Sequence, residues 1–547
     1  MKHPFSTLLS LFSLVAFLLV NRTAMADPYP IDSNVDILHY RFALRFLDHT
    51  DQIDGYATLQ VRWRGGGPRQ LRLDLVNALA ETGHKGMVVD SVSINGRNTA
   101  FRHEQNALLI RGDNSGIPGE VTEITIRYHG IPADGLHPGS NKFGERGFFS
   151  DNWPDKTRHW LPVIDHPHEK ATCEFLVKAP SHYQVVSNGL LKEKRVIDDS
   201  TTFTYWKQSV PIASWLYTIG VSTFAVQELE PFKGKPIQSW VYERERAAGF
   251  RDLESPTKEV LRYFSDYIGP FAYEKIANIE SPVVGGGMEA ASAIGYSEKL
   301  IDGTQSKRIR NVVIHELAHQ WFGNAVTERS WDDAWLSESF ATYFTLQFIR
   351  HAYGEEEYQD ELKKARSLFE RHLKNEAPYP IVASRSPEMG PVTNYAVTYQ
   401  KGAWVLTMLQ DMMGKTAFRK GIREYYQQFY NDNATTADFK AIMQKHAHTD
   451  LGPFFTQWLT LPGQIEANYS WSYDPGKRRV TLTIEQPAAN PYQFNLELSI
   501  AGTGKTITRS LAISLPKTII SIPCTFRPDS VVLDPRGKLL AAFQQMQ

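Results

Sequence analysis

NVVIHELAHQWFGN at residues 311–324, followed by AWLSESFATYFTLQFI at 334–349, is the pair of stretches from which the rest of the chain is read. In the first, Ile309, Val312, Val313, Leu317 and Trp321 recur at helical spacing, and Gly323 supplies a stop. His315 and His319 stand four residues apart around Glu316, so a helix puts both imidazoles on one face, directed at one ion. The second stretch also reads as a helix, with Asp332 and Asp333 as expected caps, and it carries Glu338. Two helices joined by a short loop bring Glu338 against the histidines. Two imidazole nitrogens and one carboxylate make a three-ligand zinc site with an open fourth position, the pattern of a catalytic metal. Glu316 then lies beside the water in that position and carries the only charge in the motif.

Two further stretches are ambiguous on their own. Gly285-Gly286-Gly287-Met288-Glu289 reads either as a mobile turn with a solvated glutamate or as a strand edge open to another backbone, with Glu289 holding a cationic group. Tyr399, in TYQKGAW at 398–404, opens a helix and is either a packing residue or a phenol placed to donate to an oxyanion.

Around these motifs the texture changes twice. Residues 36–226 read mostly as strands, among them HYRFALRF, YATLQVRW, EITIRYH and CEFLVKA, several with the period-2 alternation of a sheet buried on one face. From about residue 256 helical patterns dominate, at 256–268, 305–323, 335–353, 356–375, 396–413, 415–430 and 435–447. After Pro462-Gly463 the strands return (RRVTLTIEQ, FNLELSIA, TIISIP). The fold expected is a multidomain α+β protein. An all-β domain at 27–235 precedes a mixed α/β catalytic domain rich in helices at 236–463 and a small β-sandwich at 464–547; the resemblance given below implies that the middle one is thermolysin-like.

The N-terminus reads as a secretory signal over residues 1–26: Lys2 and His3 precede an apolar run from Leu8 to Val20, and Ala24-Met25-Ala26 offers a cleavage site. The expectation is export to the periplasm or the extracellular space, without stable membrane insertion after cleavage. The formal net charge of −1 over 547 residues argues against nucleic acid as a partner. Two cysteines, Cys173 and Cys524, are too few for a disulfide scaffold and lack metal-ligand spacing; they read as buried thiols or one long-range bridge. His159, His166 and His168 with Asp165 match no metal template and are expected to be solvated or packed.

Taken together, HELAHQWFGNAV, WLSESFATYF, GGGMEAAS and YQKGA resemble the gluzincin zinc aminopeptidases, the family of aminopeptidase N and leukotriene hydrolase. RHWLPVIDHPHEKATCEF and FFTQWLTLPG resemble that family's N-terminal β-domain and the end of its catalytic domain, so the resemblance spans essentially the whole mature chain. It implies one zinc on His315, His319 and Glu338, with Glu316 as base. It also implies Glu289 on the substrate's free α-amino group, Gly286, Gly287 and Met288 on a strand beside the substrate, and Tyr399 on the tetrahedral intermediate. The expected substrates are peptides with a free N-terminus. A gluzincin endopeptidase and a catalytically impaired peptide-binding protein are the rivals.

Three positions depart from the family pattern. Ala290 stands in place of asparagine beside Glu289, Ser339 in place of glycine after Glu338, and Trp153 where a polar residue assists amine binding. The expectation is that anchoring rests more heavily on Glu289 and Glu338. The family's helical C-terminal domain is missing from the pattern, which implies a more open cleft.

Overall fold

The strand Ile53–Trp63 alternates strictly between buried and exposed side chains, and this period sets the architecture of the N-terminal region. It lies in an eight-stranded sheet beside Val35–Arg45 and Val121–Ile131, its neighbours in antiparallel register. Lys170–Pro180 joins the other side of Val35–Arg45 in parallel. A four-stranded and a three-stranded sheet complete this region. The computed structural model describes residues 27–546 except 66–69, 81–82, 113–116, 383–390 and 488–490. The signal segment read at 1–26 lies outside the described residues.

The second region is built on a five-stranded sheet that starts earlier than the 235/236 boundary drawn from sequence. Phe224–Phe232 pairs with Lys235–Tyr242, which lies parallel to Ile276–Ser281, so that boundary cuts a hairpin of this sheet. The reason is legible in hindsight: Lys233-Gly234, both at positive φ, form a tight turn rather than a linker. Ala293–Ser297 follows, and Gly287–Met288 forms the outer edge. The longer helices are α1 (Arg246–Glu254), α2 (Thr257–Tyr267), α3 (Lys307–His319), α4 (Trp335–Ala352), α5 (Glu355–Asn375), α6 (Gly402–Met413), α7 (Lys415–Gln428) and α8 (Thr436–His446). Of these, α1 has no counterpart among the predicted elements, because its apolar face is short and Gly249 interrupts it. Ser306 caps α3 by accepting from the Ile309 amide.

The caps expected for α4 are absent. Its first turn begins at Ala334 with no side-chain cap. Asp333 instead accepts from the amide and hydroxyl of Thr436, and Asp332 from the amide of Asp27, so both carboxylates tie α4 to neighbouring segments. Aromatic rings fill the space between α3 and α4, with Phe322 against Phe340 and Phe344. From Ile465 onward, a four-stranded and a three-stranded sheet form the C-terminal region. Cys173 and Cys524 are both buried and unpaired. His166 is packed rather than solvated: it bonds to Asp27 and His168 and stacks on Tyr29.

Candidate metal centre and active site

Helix α3 ends in the two histidines, and α4 packed beside it brings Glu338 to them. His315 Nε2 and His319 Nε2 are 3.1 Å apart; Glu338 Oε2 lies 3.4 Å from the first and 3.2 Å from the second. Tetrahedral ligands bound to zinc at ~2.0–2.1 Å are ~3.3–3.4 Å from one another, so this triangle has the dimensions of a zinc site. Glu338 Oε2 is buried with no hydrogen-bond donor among the described residues, an orphaned lone pair aimed at the same point. His319 Nδ1 lies 3.2 Å from the Phe322 carbonyl and 3.0 Å from Ser337 Oγ, which fixes the ring and leaves Nε2 free as a ligand. The residues fit the ion.

Electrostatics agree with the geometry. Burial lowers the His319 imidazole, but Glu289 and Glu338 overcome it and bring it up to about 10. Burial raises the Glu338 carboxyl, and the two imidazoles overcome that, holding it at about 2. Glu316 is driven well above the usual carboxylate range by burial, with Glu289 and Glu338 pushing the same way. The cluster around the metal triangle, three carboxylates and two imidazoles, calls for positive charge.

The glycine stretch resolves into an edge strand. Gly287 and Met288 pair with Tyr296 and Gly295, leaving the other side of the strand unpaired within the sheet. Gly286, Gly287 and Glu289 line a cleft of ≈ 930 Å³ together with His315, Glu316 and Tyr399. Alternation along the strand turns Met288 the other way, into the core, so it packs rather than touching the cleft. Gly287 sits directly against Glu316: a Cβ there would lie 2.3 Å from Glu316 Cγ and Oε1. Glu289 projects beside the metal triangle, its Oε1 3.7 Å from His319 Nδ1 and without a hydrogen-bond donor among the described residues. Burial raises its carboxyl to about 7; Glu338 and Asp151 push the same way, and His319 opposes.

Ala290 does not leave this loop unsupported. The Glu289 carbonyl accepts from Gln320 Nε2 at 3.0 Å and Asn324 Nδ2 at 2.6 Å, both just beyond α3. On the other side, Asn188 Nδ2 donates to the Ala291 carbonyl and the Gly189 amide to Ser292 Oγ, pinning the loop to the N-terminal region. Gln320 and Asn324 were in plain view in HQWFGN, but nothing in their spacing marked them as supports. Trp153 packs edge-on against Trp215 and Trp331 and does not line the cleft.

Tyr399 sits in a π-helical turn, Tyr395–Lys401, that leads into α6. Its hydroxyl donates to Glu338 Oε1 at 2.5 Å, and its ring lies nearly parallel to His315, 5.9 Å away. Burial and the negative charge of Glu338 hold the phenol well above its ordinary range, so it stays protonated as a donor. Ser339, the departure after Glu338, has a place: its Oγ donates to the Thr398 carbonyl at 2.5 Å and abuts Gly402, where a Cβ would come within 1.8 Å of it.

Residues 253–458 match the Peptidase family M1 domain, and residues 37–216 match the Peptidase M1 N-terminal domain. The chain belongs to the M1 peptidase family. Similar proteins include the glutamyl aminopeptidase of Sus scrofa, 31% identical over 361 residues that make up 63% of this chain and 38% of that protein. The glutamyl aminopeptidase of Bitis rhinoceros is 31% identical over 72% of this chain and 43% of its own length. The matched part of this M1 peptidase thus spans less than half the length of either relative. Its fold is similar to the crystal structure of the M1 zinc metallopeptidase from Deinococcus radiodurans, with a TM-score of 0.67 at 24% identity over 79% of this chain and 96% of that one.

Proposed function

We propose that this M1 peptidase is an aminopeptidase that removes single residues from peptides with a free N-terminus. The observation that carries this reading is Glu289: a buried carboxylate in the cleft beside the metal triangle, held by Gln320 and Asn324 through its own carbonyl. A carboxylate fixed there takes the substrate α-ammonium and leaves only the first peptide bond within reach of the base. Charge balance supports it, since one divalent ion and one ammonium offset the three carboxylates Glu289, Glu316 and Glu338.

His315, His319 and Glu338 would hold one zinc ion, which when bound supplies a Lewis acid and lowers the pKa of water. Glu316 takes the proton of the attacking water and passes it to the leaving amine. Tyr399 turns its hydroxyl from Glu338 to donate to the oxyanion. The unpaired side of Gly286–Gly287 accepts the substrate backbone as an added strand.

We also propose that the chain is exported. The N-terminal segment reads as a signal, no described helix is long and apolar enough to cross a membrane, and the near-neutral charge leaves no basis for a nucleic-acid partner. The activity is tested by following a hexapeptide by mass spectrometry. Stepwise loss of single N-terminal residues is expected; cleavage at an internal bond would overturn the assignment.

A further inference from the structure

On the side of α4 remote from the metal site, a second cavity of ≈ 440 Å³ lies between α2, α4, α6 and α7. The α7 sequence KTAFRKGIREYYQQ puts Phe418, Ile422, Tyr425 and Tyr426 in the core. That leaves Lys415, Arg419, Lys420 and Arg423, at i, i+4, i+5 and i+8, to line the cavity. Arg350 and His351 at the end of α4 face them, and among the described residues no carboxylate lines the cavity.

Little nearby offsets this charge. The Arg419 guanidinium donates to the Tyr267 and Asp266 carbonyls at 3.2 and 2.6 Å, and Arg423 to the Asp266 carbonyl at 3.0 Å. Those are neutral acceptors that fix the groups without cancelling them. Arg350 pairs with Glu355 at 2.6 Å. Among the described residues, Lys415, Lys420 and Arg423 have no ion pair. Like charges at i, i+4 on a helix are destabilising, so the arrangement costs stability unless something binds there.

The floor adds a second, independent sign. Gln347, on α4 and only 7% exposed, lines the cavity with its side-chain amide nitrogen buried and without an acceptor among the described residues. An unmet buried donor beneath a ring of cations asks for an acceptor-rich anion. The first turn of α7, uncapped by any side chain, opens onto the same space.

We propose that this cavity is a binding site for a compact polyanion bearing several phosphate groups. It is separate from the metal triangle: Gln347, the cavity's nearest residue on α4, lies nine positions beyond Glu338, ~13–14 Å along the helix. Such phosphates occur free or on a lipid headgroup. The test is calorimetric titration of the zinc-loaded protein at fixed ionic strength with trimetaphosphate, a cyclic trianion. Co-sedimentation with phosphatidylcholine vesicles containing phosphatidylinositol 4,5-bisphosphate, whose headgroup carries several phosphates, forms the second arm.

The wild type is expected to bind trimetaphosphate, the vesicles, or both; vesicle binding alone assigns the phosphate to lipid, and trimetaphosphate alone to a free ligand. Lys415→Gln/Lys420→Gln and Gln347→Leu are each expected to weaken binding at least tenfold. Lys192→Gln/Lys505→Gln, which removes the same charge elsewhere, is expected to bind as the wild type does. No binding in either arm overturns the proposal. So does equal weakening by both double variants, which would mark nonspecific charge attraction.

Discussion

Replacing Gly287 by alanine adds one methyl group against the flank of Glu316. Its carbon would stand 2.3 Å from Glu316 Cγ and Oε1 and 2.4 Å from Cδ. Non-bonded carbons rest at about 3.5–4.0 Å, so the carboxylate has to move by roughly 1 Å or more. The helix cannot yield instead, because Val313, Ile314, Leu317 and Ala318 on either side of Glu316 are fully buried in the core. Displacements of this size at a reacting group cost about 10²-fold in rate, or ~2.7 kcal/mol in the activation barrier. The assay is hydrolysis of an aminoacyl-p-nitroanilide, with zinc content and thermal midpoint measured on the same sample. G287A is expected to keep its metal and its fold and to lose kcat. Gly285→Ala is the control, since a Cβ there meets nothing within 4 Å. Wild-type kcat in G287A, or equal losses in both variants, would refute the placement of Glu316 against the edge strand.

Three other perturbations probe different parts of the site and its support. Tyr399→Phe removes the donor now bonded to Glu338 and is expected to lower kcat by about 10²–10³-fold with KM little changed; steady-state kinetics with a zinc assay checks this. Gly402→Ala, stabilising in an ordinary helix, here drives a carbon to within 1.8 Å of Ser339 Oγ. It is expected to cost about 1–3 kcal/mol in denaturant melts and to be rescued by Ser339→Gly. Lys275 is fully buried, and burial lowers its ammonium to about 7. The unfolded chain therefore holds more protons above pH 7, and stability rises with pH by about 2 kcal/mol per such lysine between pH 7 and 9. Lys275→Met is expected to flatten that rise, which denaturant titrations across pH 7–9 measure.

The parts of the fold written in local periodicity were legible from sequence. Strands such as Ile53–Trp63 and helices α2 to α8 carry their pattern within a single element. The metal triangle was legible for the same reason, because i, i+4 spacing and one following helix bring its atoms together. Contacts between distant segments were not. Asp332 and Asp333 looked like caps, yet bond to Asp27 and Thr436, respectively 305 and 103 residues away. Support for the Glu289 loop comes from Gln320, Asn324 and Asn188, polar residues whose spacing carries no signature. The cationic face of α7 is visible in KTAFRKGIREYYQQ, but only packing against α4 makes it a cavity.

In the proposed reaction Glu289 anchors a substrate ammonium beside the metal site. The most direct test of that anchoring is the ratio of kcat/KM for two peptides that differ only by an N-terminal acetyl group. A charge-assisted contact of this kind contributes on the order of 1.5–3 kcal/mol, so the free peptide should be cleaved at least about tenfold faster, and Glu289→Gln should shrink that ratio. Equal rates on the two peptides in the wild-type protein would contradict the account.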